Sequence, residues 1–210
     1  MKPHPILLES FAIIDREMGE RRLQFTPAEY AIVRRVIHST ADFEFADLVR
    51  FSAGAIEGAI AAIRAGTPII TDVSMVERGV ATVISQTFQN PLISAVDLAP
   101  TALPGKTRTE TGLLACWEKY PQAIYAIGNA PTALMGLCAR LSDRDTVPSL
   151  IIGAPVGFVG VLEAKARLAQ TNVPQIRVEG RKGGSPATAA IVNALFLLAW
   201  EEKQPLGGGN

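Results

Sequence analysis

Residues 120–139 and 146–162 contain no Asp, Glu, Lys or Arg. A segment that faces water rarely goes so long without charge, so these stretches predict strands covered on both faces. Short apolar runs fall inside them, Ala123 to Ile127 and Leu150 to Ile152. Three similar runs lie outside: Thr67 to Asp72, Leu92 to Val96, and Gln175 to Val178. Helical patterns follow several of the runs, from Ser74 and over about 107–119, 131–143, 158–170 and 187–202. Strands and helices alternating at this interval predict an α/β fold with a mainly parallel sheet flanked by helices.

The first third of the chain reads as helices. Leu7, Phe11, Ile14 and Met18 keep helical spacing, and Gly19 ends that element. Thr26-Pro27-Ala28-Glu29 is a capping box with proline at the first helical position. Tyr30, Val33 and Ile37 mark the buried stripe of this second helix, which runs out at His38-Ser39-Thr40. Ser52 is the expected cap of a third helix through Ile56, Ile60 and Ile63, closed by Gly66. At 210 residues the chain suits one domain, taken as 1–203, with residues 204–210 as a flexible tail.

Composition removes several classes of function. Twenty basic and twenty acidic residues balance to a net charge of zero, without the footprint of a nucleic-acid or membrane-surface binder. Charged residues make up only 19%, so much surface is expected to be hidden, either in a sheet covered on both faces or in a subunit interface. Cys116 and Cys138 form neither a disulfide framework nor a metal spacing, and two histidines rule out a multi-histidine site within one chain. The apolar run from Ala187 to Trp200 is too short to cross a membrane and long enough for a buried helix. The start, Met1-Lys2-Pro3-His4-Pro5, has no signal-peptide layout, and the expected setting is a reducing cytoplasm.

In an open parallel sheet, ligands bind beyond the carboxyl ends of the strands. Four loops there are rich in small residues: Asp72 to Met75, Gly128 to Thr132, Gly153 to Gly160, and Gly180 to Ser185. Their glycines admit close backbone approach, and the helix N-termini behind them offer amides to anions. Standard phosphate and nucleophile motifs are absent. Gly105-Lys106-Thr107 ends like a Walker loop, but Pro100 stands where its first glycine belongs. Gly153 and Gly157 are four apart, and Ser185 lacks the second glycine of a nucleophile elbow.

Three cations and one imidazole stand out. Arg181 and Lys182 lie among glycines, and Arg108 lies at a helix start; each suits carboxylate groups. His38 ends a capped helix, where the partial negative charge favours a protonated ring, and Asp42 and Glu44 are expected to act in the same sense. That prepares His38 to donate a proton near neutral pH. His4, between two prolines, carries no functional expectation.

Together these segments resemble the precorrin-8X methylmutase family, which includes the cobalt-precorrin-8 enzymes, over about residues 5 to 203. The resemblance rests on Arg35 to His38, Asp72 to Val76, Thr107-Arg108, Ile127 to Leu134, Pro155 to Gly160, and Gly180 to Ser185, all in family order. It implies a three-layer α/β/α homodimer that needs no cofactor and moves a methyl group from C-11 to C-12 of a tetrapyrrole in cobalamin biosynthesis. Its catalytic histidine falls on His38. Arg108, Arg181 and Lys182 with Ser185 are the expected holders of substrate carboxylates, and Asn129, Thr132 and Thr71 the expected lining of the slot. One position departs from the family: Ala164 stands after Glu163 where serine is common.

A pericyclic shift asks for a proton donor and a rigid apolar slot, not for a nucleophile or metal. Two other functions fit the same loops. One is a tetrapyrrole carrier without turnover. The other is a nucleotide-dependent α/β enzyme using Gly153 to Gly160 as its phosphate loop.

Overall fold

The computed structural model describes residues 4–141 and 146–203. Helices α1 (Pro5–Met18) and α2 (Pro27–Thr40) are joined by a 3-10 turn, Gly19–Gln24. His4 caps α1, its Nδ1 accepting from the Ile6 amide at 3.2 Å. The capping box of α2 is complete: Thr26 Oγ1 accepts from the Glu29 amide, and Glu29 Oε2 accepts from the Thr26 amide at 2.8 Å. Such a cap stabilises a helix by about 1 kcal/mol. Short helix α3 (Phe45–Leu48) leads into β1 (Val49–Phe51) and then α4 (Ala55–Arg64).

From there the chain alternates: β2 (Ile69–Thr71), α5 (Ser74–Gln86), β3 (Leu92–Ser94), α6 (Arg108–Lys119), β4 (Ile124–Ile127), α7 (Pro131–Arg140), β5 (Leu150–Gly153), α8 (Val161–Ala169), β6 (Gln175–Val178) and α9 (Ser185–Lys203). The described strands form one sheet in the order β1-β6-β5-β4-β2-β3, parallel except for β1.

Strand periodicity divides the core in two. Ile69, Ile124, Ala126, Leu150, Ile152 and Ile176 face one side, with α2, α4, α5 and α9. Ile70, Tyr125, Ile127 and Ile151 face the other, with α6, α7 and α8. The result is three layers, α/β/α; the strands within the charge-free stretches, β4 and β5, are buried as expected, while Val156, Phe158 and Val159 in the loop after β5 are exposed. Each wholly buried Leu or Ile contributes about 1.5–3 kcal/mol relative to exposure.

One sequence expectation changes, and one strand is added to those expected. Ser52 does not cap α4; Gly54 does, in the left-handed region at φ 70°. Ser52 Oγ accepts from the Gln175 amide at 2.9 Å, and the Ser52 amide donates to the Gln175 carbonyl. It therefore extends the antiparallel contact of β1 with β6, an edge strand the apolar pattern did not show. The tail at 204–210 lies outside the described residues. No described helix is long and apolar enough to cross a membrane.

Candidate active site

The β2–α5 and β4–α7 loops meet where the strand order reverses, the place where open sheets leave a crevice. A buried carboxylate closes this point. Asp72 Oδ1 accepts from the Gly128 amide at 3.1 Å, and Oδ2 accepts from Asn129 at 2.7 Å and Ala130 at 2.8 Å. Burial pushes the carboxyl above its ordinary range, while these amides and that of Val73 pull it down. All the partners are donors, which suits the ionised form. The amides before α7, expected from sequence to be free for an anion, are thus occupied from inside the protein. Asp72 was named only within its motif, because its partners lie 56 to 58 positions away.

The neighbouring loops use the opposite polarity. Lys165, on α8, is 2% exposed, and its Nζ donates to the carbonyls of Gly180 and Lys182, both at 2.7 Å. Burial lowers this ammonium to about 8, with Glu179 pulling it back up. The Gly157 amide donates to the Arg181 carbonyl at 3.3 Å, and Gly184 donates to Ala154 at 2.8 Å. Gly183 has φ 151°, and a Cβ there would lie 2.2 Å from the Ala154 oxygen, so no larger residue fits. The β5–α8 and β6–α9 loops are sewn together as one surface.

That surface is apolar and open. Phe158 is 83% exposed and Val159 90%, with Met75 at 70% on the α5 end. The Arg181 guanidinium lies 5.8 Å from the Phe158 ring centroid and is exposed. Beside it Ser185 starts α9 and is buried.

The end of α2 is tied to the same loop. Ser39 Oγ, which donates to the Val36 carbonyl at 2.9 Å, also reaches the Pro186 carbonyl in the first turn of α9 at 3.3 Å, and Lys182 Nζ in the loop pairs with Asp42 at 2.6 Å and Glu44 at 2.8 Å. His38 sits on this last turn, exposed, with its ring edge-on to Phe11 at 5.6 Å. The expected action of Asp42 and Glu44 on His38 is corrected here: both carboxylates are engaged by Lys182, and that pairing holds Asp42 below the ordinary carboxylate range. Lys182 is equally a fastener of α2, not an unpaired cation.

Other sequence candidates are scattered. Arg108 Nε donates to the Ala99 carbonyl at 2.9 Å and an Nη to Val96 at 3.2 Å, so its fork clamps the turn after β3. Thr71 is fully buried in β2 and its hydroxyl faces the Ile93 carbonyl, so it does not line an open slot. Asn129 is exposed beside α7. Thr132 shares a 3.0 Å hydrogen bond with Thr107 and lines a cleft of about 390 Å³ with Lys106, Glu110, Met135 and Val159. His38 and Arg181 do not line that cleft. Ala164, on α8, is wholly buried in the core on the α6–α7–α8 side of the sheet. Among the described residues, no three His, Cys, Asp or Glu side chains are grouped to hold a metal.

A family model described as CbiC, precorrin-8X methylmutase, matches residues 5–198. The cobalt-precorrin-8 methylmutase of Synechocystis sp. is 53% identical, covering 95% of this chain and 97% of that protein. The cobalt-precorrin-8 methylmutase of Priestia megaterium is 38% identical, covering 95% and 89%. A crystal structure of precorrin-8x methyl mutase from Thermus thermophilus superposes with a TM-score of 0.85 at 41% identity, covering 95% of this chain and 99% of that one.

Proposed function

The chain belongs to the precorrin-8X methylmutase family, and from that premise we propose that His38 is the proton donor for its methyl shift. The protein is an isomerase of cobalamin biosynthesis, an intramolecular methyl transferase. In our reading the methyl group passes from C-11 to C-12 of the tetrapyrrole as the bond to the first carbon breaks and that to the second forms. No outside group accepts it. A proton or hydrogen bond given to a ring nitrogen biases the electrons toward the product, and the protein otherwise holds the ring in its reactive shape.

The observation that carries this reading is the tether of α2 to the loop after β6. Ser39 to Pro186 and Lys182 to Asp42 and Glu44 keep the imidazole-bearing turn against the segment from Lys182 to Pro186. The imidazole is exposed and so open to a bound ring. Arg181, exposed and with no carboxylate partner among the described residues, is the assigned contact for a substrate carboxylate, with Ser185, Asn129 and Thr132 as polar edges. The apolar Phe158, Val159 and Met75 suit the flat face of a macrocycle or a second copy of this chain.

The test is turnover of precorrin-8X and cobalt-precorrin-8 by wild type and His38→Ala, followed by the corrin spectrum. We expect wild type to convert at least one of the two without added cofactor. His38→Ala should lose roughly a hundredfold or more in kcat. Full-rate catalysis by the variant would remove His38 from the chemistry, and binding without turnover by wild type would favour a carrier. Assembly is assigned as a homodimer in the cytoplasm; sedimentation as a monomer at micromolar concentration would count against the dimer.

A further inference from the structure

Lys165 is a buried cation with no carboxylate at hydrogen-bond distance among the described residues; its two bonds run to main-chain carbonyls. Burying an ammonium is costly, and two short charge-assisted bonds are what offset that cost. Their positions are specific. Gly180 and Lys182 are the two residues that flank Arg181, so one side chain turns both neighbouring carbonyls inward. The carbonyl of Arg181 itself is taken by the Gly157 amide. Gly180 at φ 70° and Gly183 at φ 151° leave this segment little stiffness of its own. With its carbonyls drawn in, the loop presents the Arg181 side chain outward, across Phe158.

We propose that Lys165 is a positioning residue for substrate binding: by holding the carbonyls of Gly180 and Lys182 it fixes the direction of Arg181. Lys165 touches no substrate in this scheme. The proposal rests on the assignment of Arg181 to a substrate carboxylate.

The experiment compares the full-length wild type, K165M, R181A and the double variant, with KM and kcat on the tetrapyrrole substrate and hydrogen exchange of the amides from Arg181 to Gly184. K165M keeps most of the unbranched side chain and loses its donors. We expect its KM to rise roughly tenfold, the size of one lost charge-assisted hydrogen bond, with kcat nearly unchanged and faster loop exchange. A variant that only lost stability would lower the active fraction, and so the apparent kcat, without moving KM. Added to R181A, K165M should change KM no further.

Wild-type KM and exchange in K165M would overturn the proposal, as would a K165M effect that multiplies in full on R181A. If R181A alone leaves KM unchanged, the assignment of Arg181 has failed; faster exchange in K165M would then show a loop clamp with no part in binding, which also overturns the proposal. Should K165M not fold, K165R carries the same comparison, with a smaller KM change that again vanishes on R181A.

Discussion

The two loop junctions at the carboxyl end of the sheet are built with opposite charges. At the β2/β4 junction a buried carboxylate gathers amides, those of Gly128, Asn129 and Ala130. At the β5/β6 junction a buried ammonium gathers carbonyls, those of Gly180 and Lys182. Each buried charge takes up backbone groups of the opposite polarity. The first junction has spent its amides, so it offers an anion little despite standing at a helix N-terminus. The second has spent its carbonyls and keeps an outward arginine. A polyanionic ligand is therefore better matched by the second. A glycine-rich loop before a helix is only an anion site if nothing inside the protein has taken its donors first.

The sharpest way to break the comparison is Asp72→Asn. It replaces an acceptor-only group by one that turns N–H bonds toward buried amides. We expect a loss of about 3 kcal/mol in unfolding free energy by denaturant titration, from buried donors left unpaired. A loss under about 1 kcal/mol would mean that the junction does not depend on charge. The smaller effect is at the second junction's rim. Asp42, held low by Lys182, stabilises the fold above the ordinary carboxylate range, and that stability is lost as pH falls through its depressed value. Below about pH 4, wild type should therefore weaken toward K182M, the two curves converging in acid. The gap at neutral pH should be small, because exposed ion pairs contribute little. Parallel curves would show that the pair does not govern the tether.

Much of this architecture was legible from local chemistry. The charge-free stretches became β4 and β5, and Thr26-Pro27-Ala28-Glu29 formed its capping box with proline at the first helical turn. Gly19 ends α1 as read. What was missed depends on distant partners. Strand β1 is three residues with a charged middle, Val49-Arg50-Phe51, and is extended only because Val178 to Ile176 lies beside it. Ser52 has the chemistry of a helix cap, and its hydroxyl is used 123 positions away. Arg108 reads as a free fork until the carbonyls of Ala99 and Val96 are placed around it. Lys165 gave no signal, since a lysine on a helix is ordinarily solvated.

Helix α9 packs against α2, α4 and α5, and from Ala187 to Ala199 it is buried on nearly every side. All three of those helices precede it in the chain. On a ribosome their inner faces are therefore made first and exposed together, with their central partner still unsynthesised. One layer of the molecule cannot close until translation has passed about residue 200, so folding of this half is late and cooperative rather than stepwise with synthesis.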